Sequence, residues 1–300
     1  MSNVLELLSG KLLNPDLREG AKFFATSGNG HLKAAGSRSG AIAIWSESSP
    51  EVQYLSVQPV KRKKKGEAEL QGLWLSQTGD LLFAASSVDV VAINTTSRTM
   101  AWDYQQKRQW GFLPSIPQGG YLSADDDLTT FYSSGEIIVL DRQSRVTNSE
   151  THPHTSRFFA DAGDFAFGSD GHFIWKWAKT DGFGNRELIV QRACYSMAAS
   201  GDGNTLAVRS TGRVFLANSA ESTFDDEFAI DPGLPQMIVN YDGTQFGMLN
   251  EARVRFMNRQ GELLGVFEVD EDFPISIHNS GDEVVVGMRS GRLFQLDWPS

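Results

Sequence analysis

The sequence predicts an all-β protein, a seven-bladed β-propeller of four-stranded antiparallel blades, on three observations. Two columns of turn residues recur through the whole chain. Short runs alternating apolar and polar at period 2 lie between and after those turns. No segment beyond residue 20 holds a helical period for ten residues.

The turn columns come first. The unit "SGDGNTLAVRSTGRVFLAN" (200–218) has near-copies at 280–297, 27–46 and 241–258. The last residue of each first turn is Gly30, Gly79, Asp126, Gly163, Gly203, Gly243 and Gly281, at spacings of 49, 47, 37, 40, 40 and 38. The second turns give Gly40, Val88, Gly135, Gly171, Gly212, Ala252 and Gly291, spaced 48, 47, 36, 41, 40 and 39. The columns drift together while staying eight to ten residues apart, as a structural repeat of about forty residues requires. Glycine at these turns supplies the positive φ that tight hairpins need.

The strands follow. Leu206 and Val208, Phe246 and Met248, Val284 and Val286, and Leu81 and Phe83 alternate between the turns. Val214 and Leu216, Ile42 and Ile44, and Ile137 and Val139 alternate after them. These runs are expected to be half-buried strands, four to a blade, with repeats at about 21–60, 68–104, 119–148, 156–192, 195–231, 235–269 and 273–298. The last repeat ends at Asp297-Trp298-Pro299 after its third strand, leaving an edge. The N-terminal "NVLELL", within a closing segment 1–20, is expected to supply the fourth strand and close the ring as one domain over 1–300. The competing reading is an amphipathic helix, since Val4, Leu5, Leu8 and Leu12 fall on one helical face.

The Ser-x-Asp-Gly first turn, seen at Ser200 to Gly203 and followed by a second hairpin, resembles divergent WD repeats. The defining Trp-Asp pair is replaced in its column by Trp45-Ser46, Leu140-Asp141, Trp177-Ala178 and Leu296-Asp297, and Trp102-Asp103 lies about eight residues late. "AINTTSRTMAW" (92–102) is similar to the Ala-x-Asp-x-x-Thr-x-x-x-x-Trp docking corner of quinoprotein propellers, with Asn94 and Ser97 in place of Asp and Thr. It occurs once with its Trp, so it supports the architecture and implies no quinone cofactor. The two resemblances span about residues 20–298 and imply a rigid ring whose loops bind proteins.

Composition bounds the function. The chain has 300 residues, 40% hydrophobic and 21% charged, in the range of a globular protein. A net charge of −10 argues against general nucleic-acid binding, which needs clustered cations. No apolar run approaches the length of a membrane span. "MSNVLELLSGKLL" lacks a basic n-region, and Cys194, the one cysteine, excludes an intramolecular disulfide. These features point to the cytoplasm.

No nucleophile elbow, phosphate-binding loop or paired-cysteine motif occurs. "DDD" at 125–127 falls in the first-turn column and is expected to be a solvated turn, not a calcium loop. His152 and His154 form the one histidine pair, and His31, His172 and His278 are expected in turns of other blades. No catalytic residue, metal site or cofactor is expected.

The connectors carry the functional expectation. Residues 57–118 hold eight Lys/Arg against five Asp/Glu in an otherwise acidic chain. Three neighbouring connectors, 57–70, 103–120 and 148–157, are expected to place Lys61, Arg62, Lys63, Lys64, Lys65, Lys107, Arg108, Trp110, Phe112, His152 and His154 along one sector of a rim. Aromatics beside cations are enriched at interface hot spots, whereas a bare basic run is most often a solvated loop. The expected function is a non-catalytic protein-binding scaffold whose partners include one or more proteins with an acidic surface. The alternatives are a hydrolase or lactonase-like propeller enzyme with a channel-mouth site, and anionic nucleic-acid or lipid contact through the basic sector.

Overall fold

The computed structural model describes residues 6–7, 11–13, 17, 20–46, 48–56, 69–86, 89–105, 117–151, 158–181, 183–218, 223–230, 236–250 and 252–299. The protein is all-β, a seven-bladed β-propeller of four-stranded antiparallel blades, with one short 3-10 turn at Phe183–Asn185. Two compact units emerge. One (14–155 and 290–293) holds the first three blades, the other (1–13, 156–289 and 294–300) the remaining four. The first blade runs from Phe23–Thr26 to Ser49–Ser56, the second from Leu70–Leu75 to Met100–Gln105, and the third from Pro117–Leu122 to Val146–Thr151. In the second unit the blades begin at Phe158–Ala162, Ser196–Ala199, Met237–Val239 and Pro274–Ser280.

The first-turn column has one conformation. All seven residues, Gly30, Gly79, Asp126, Gly163, Gly203, Gly243 and Gly281, have positive φ. In four of the seven turns the residue opening the turn has a matching task. Ser27, Ser76 and Ser200 each accept through Oγ the N–H five residues on, at 3.0, 3.0 and 2.9 Å, and Asn240 does so through Oδ1 at 2.9 Å. A short polar side chain that caps its own hairpin explains the Ser-x-Asp-Gly pattern. The second column is looser. Gly40, Gly135, Gly171, Gly212 and Gly291 have positive φ, Ala252 does not, and Val88 lies outside the described residues.

The strands depart from the half-buried expectation. Leu81–Ser86 is buried at every position, and Thr205–Ser210 at all but its last. Leu206 and Val208 enter the core shared with the fourth blade, while Val214 and Leu216 enter the core shared with the sixth. All four are fully buried, on opposite faces of one sheet, because Leu206 pairs with Ala217 and Ala207 with Leu216. The fifth blade lies between the fourth and the sixth, so both of its faces lose water, and alanine fills the positions between the larger side chains.

The N-terminus closes the last sheet, but not with the residues expected. Lys11–Leu12 pairs antiparallel with Leu293–Asp297 and makes the fourth strand of the seventh blade. Within "NVLELL", Glu6–Leu7 pairs parallel with Leu263–Phe267 and adds a fifth strand to the sixth blade. The two-strand use of one segment was not encoded in its apolar pattern. Leu12 is 55% exposed, so backbone pairing rather than side-chain burial selects it.

Hydrogen bonds tie neighbouring blades at the first turns. Asn29 N–H donates to the Gln77 carbonyl (3.1 Å), Gln77 N–H to Asp126 Oδ1 (2.6 Å), and Asp202 N–H to the Tyr241 carbonyl (3.0 Å). Asp126 therefore keeps a carboxylate where the other six repeats have glycine. Its second oxygen accepts from Arg142 (2.7 Å), which also pairs with Asp80 of the second blade. Trp102, packed on Phe83, donates Nε1–H to the Arg142 carbonyl at 2.7 Å, so the "AINTTSRTMAW" corner docks the second blade on the third.

Burial would raise Asp80, but hydrogen bonds from Thr78 and Ser76 and the Arg142 charge outweigh it and hold its pKa below the ordinary 3.8. A carboxylate depressed in the folded state stabilises fully above its unfolded pKa, and that share is lost as pH falls through the folded value. Arg142→Met is expected to cost about 1–2 kcal/mol at neutral pH, the lower range because Arg142 and Asp80 are partly solvated. It should also flatten the loss of stability below about pH 4. Urea unfolding at pH 7 and pH 3 measures both; an acid limb identical to wild type would show that Arg142 does not set the Asp80 titration.

Candidate functional site

Strand register shows which turns and strand ends share one end of each sheet. In the second blade, Leu70 pairs with Ser86, Ala85 with Val90, and Asp89 with Gln105. The start of the first strand, the second turn and the end of the fourth strand therefore share one end of the sheet. The first blade (Phe23 with Gly36, Ala41 with Ser56) and the third (Pro117 with Tyr132, Glu136 with Thr151) are built alike. Blade-to-blade connectors and second turns consequently emerge together, where loops on a rigid scaffold carry binding groups.

Lys61, Arg62, Lys63, Lys64 and Lys65 belong to the connector 57–68, and Lys107, Arg108, Trp110 and Phe112 to the connector 106–116. All nine lie outside the described residues, as do His152 and His154. The feet of both connectors are described. Glu69 pairs with Arg38 at 2.5 Å and Leu70 N–H donates to the Arg38 carbonyl at 2.8 Å, tying the return of the first connector to the second turn of the first blade. At the start of the other, Gln105 pairs across the sheet with Asp89, a buried carboxylate that accepts from the Ser86 hydroxyl.

Next to the described feet of the 106–116 connector the sheets bring together aromatic hydroxyls and a carboxylate. Tyr104 and Tyr132 pack in the core shared by the second and third blades. Burial, then the charge of Glu136, raises the Tyr104 pKa. Burial, then Tyr104, Glu136 and Asp89, raises that of Tyr132 much further. Both phenols stay protonated near neutral pH, which suits them to donate hydrogen bonds and unsuits them as bases or nucleophiles. Cys194 is likewise buried, and desolvation pushes its thiol up to about 11, which keeps it from reacting as a thiolate.

Among the described residues no group of three or more His, Cys, Asp or Glu is placed to hold a metal ion. His278 lies within the strand Pro274–Ser280, paired with Val285, and not in a turn as expected. In this repeat the inner strand runs on to Ser280, which pairs with Glu283 across a tighter hairpin, and so includes it. Of the acidic triplet, Asp126 is committed to Gln77 and Arg142. Asp127 is raised by burial and by the charges of Asp141, Asp125 and Asp126.

One residue of the fifth blade escaped the sequence reading. Arg209, in "TLAVRS", is out of phase with Leu206 and Val208, so a half-buried strand would send it to water. The structure buries it, because the sixth blade covers the other face of that sheet. No helix among the described residues is long and apolar enough to cross a membrane. No protein-family model matches the chain, and no curated protein matches its sequence.

Proposed function

We propose that this chain is a non-catalytic protein-binding scaffold of WD-repeat-like design, working in the cytoplasm and presenting the connectors 57–68 and 106–116 to a partner with an acidic surface. The observation behind this reading is the placement of their feet. Two long connectors, one carrying five consecutive cations and the other Lys107, Arg108, Trp110 and Phe112, start and end on the same end of adjacent, packed sheets. Rigid feet lower the ordering cost of a loop on binding. Cations at a rim speed encounter with an acidic partner, and a buried aromatic slows its release.

Lys61, Lys63, Lys64 and Lys65 changed together to Glu should leave the fold intact, since surface changes of this kind cost little. The variant is expected to associate with the wild-type partner at least about tenfold more slowly at low salt and to lose most of the salt dependence. Trp110→Ala should instead raise the off-rate. Both are read by surface plasmon resonance against proteins retrieved from the native cell. Unchanged rates in both variants would rule out this face. Binding that falls steeply with salt for nucleic acid or anionic vesicles, with no protein retained, would replace the protein partner by an anionic polymer or surface.

A further inference from the structure

Arg209 lies near the end of the strand Thr205–Ser210 in the fifth blade and pairs with Ser196 on one side and Val214 on the other. Alternation puts its side chain on the face of Ala207, Val214 and Leu216, which packs on Met237, Val239, Phe246 and Met248 of the sixth blade. It is 5% exposed, and its Nε and Nη1 are buried with no hydrogen-bond partner. A charged group removed from water is costly unless something pairs with it.

Three other arginines of the fifth and sixth blades and of the strand connection before them have partners. Arg213 pairs with Glu227, Arg259 donates to Thr205 Oγ1 and the Gly243 carbonyl, and the Arg192 guanidinium lies 3.4 Å over the Phe215 ring. Among the described residues no carboxylate pairs with Arg209 and no ring is stacked on its guanidinium. Desolvation pulls its pKa down, opposed by Tyr195, yet guanidinium remains charged at neutral pH.

Its position opens toward the connector face. Tyr195, 45% exposed, donates its N–H to the Arg209 carbonyl at 2.9 Å. The second turn begins two residues on, and among the described residues a Cβ added at Gly212 would meet no atom within 4 Å. On the facing sheet Arg255 pairs with Met248 and so shares that blade's face toward the fifth. Guanidinium offers only donors and a fixed positive charge, so its complement must be an acceptor carrying negative charge.

We propose that the connector-face end of the packing between the fifth and sixth blades is an oxyanion-binding site, with Arg209 as its principal donor and a carboxylate or phosphate group as its ligand. The assignment does not draw on the connectors 57–68 and 106–116. An overall charge of −10 repels anions at long range, so the site selects its ligand by close contact.

The test is thermal melting of the full chain in sodium phosphate, sodium acetate and sodium chloride at matched pH and ionic strength. Phosphate, acetate or both are expected to raise Tm by at least about 2 °C over chloride, because a ligand that binds only the folded state stabilises it. A response to phosphate alone identifies a phosphoryl ligand, and to acetate alone a carboxylate. Arg209→Met, of similar length and uncharged, should melt alike in all three salts. Equal melting of the wild type in the three salts overturns the proposal, as does an oxyanion response that Arg209→Met retains. If that variant does not fold, the Arg209 Nε–H resonance of the wild type decides: a saturable shift with phosphate or acetate supports the site, and none overturns it.

Discussion

Removing residues 1–13 is expected to make the protein associate beyond the wild-type state and to lower its melting temperature clearly. The deletion takes away Lys11–Leu12, the outer strand of the seventh blade, and leaves Leu293–Asp297 as an unpaired edge. Its free N–H and C=O groups then form a template for another chain. Removing residues 1–9 should be milder. It takes away Glu6–Leu7, a parallel fifth strand on a sheet that already has four, and keeps the closing strand. Leu12→Ser should be milder still, because that side chain is mostly in water and the pairing uses the backbone. Light scattering after size exclusion, with melting curves of the three variants, orders them. A 1–13 deletion with the wild-type mass in solution and the wild-type melting temperature would show that the edge needs no cover.

That ordering also shows what the sequence could reveal. Turn chemistry is local, so the first-turn column was legible to the residue. Even Asp126, the one non-glycine, adopts the same positive φ, and the structure adds why it is Asp: both oxygens are engaged across the blade boundary. Strand pairing at the N-terminus is not local. Nothing in "NVLELL" distinguishes the edge of the sixth blade from that of the seventh, and the segment that closes the seventh, Lys-Leu, has almost no pattern of its own. Edges select a backbone of the right reach, which composition does not record.

The same limit applies to burial. Period-2 alternation says that successive side chains face opposite ways, and it is silent on what covers each face. In Thr205–Ser210 both faces are covered, so Arg209, on the side assigned to solvent, became the one cation whose side-chain nitrogens are buried without a hydrogen-bond partner among the described residues. The connector cations were found by charge counting alone, and the sheets beneath them supply only the placement of their feet.

Leu206→Ala is expected to cost about 2–5 kcal/mol, the range for a buried leucine cut back in a core that relaxes only partly. Leu206 is fully buried in the cluster that joins the fourth and fifth blades, with Phe167, Ile174 and Met197 among its members. Leu206→Met, which keeps the volume, should cost under about 1.5 kcal/mol. A control on an outer strand, Val146→Ala, should be close to neutral because Val146 is 46% exposed. The opposite face makes the sharper demand. Ala207 is fully buried in the cluster joining the fifth and sixth blades, so Ala207→Leu must push a larger side chain into packed space at about 1–3 kcal/mol. A sheet wet on one side would accept that change freely. Urea unfolding of the two variants thus tests each face in turn: a costly Leu206→Ala with a neutral Ala207→Leu would return the fifth blade to a half-buried strand and leave Arg209 in water.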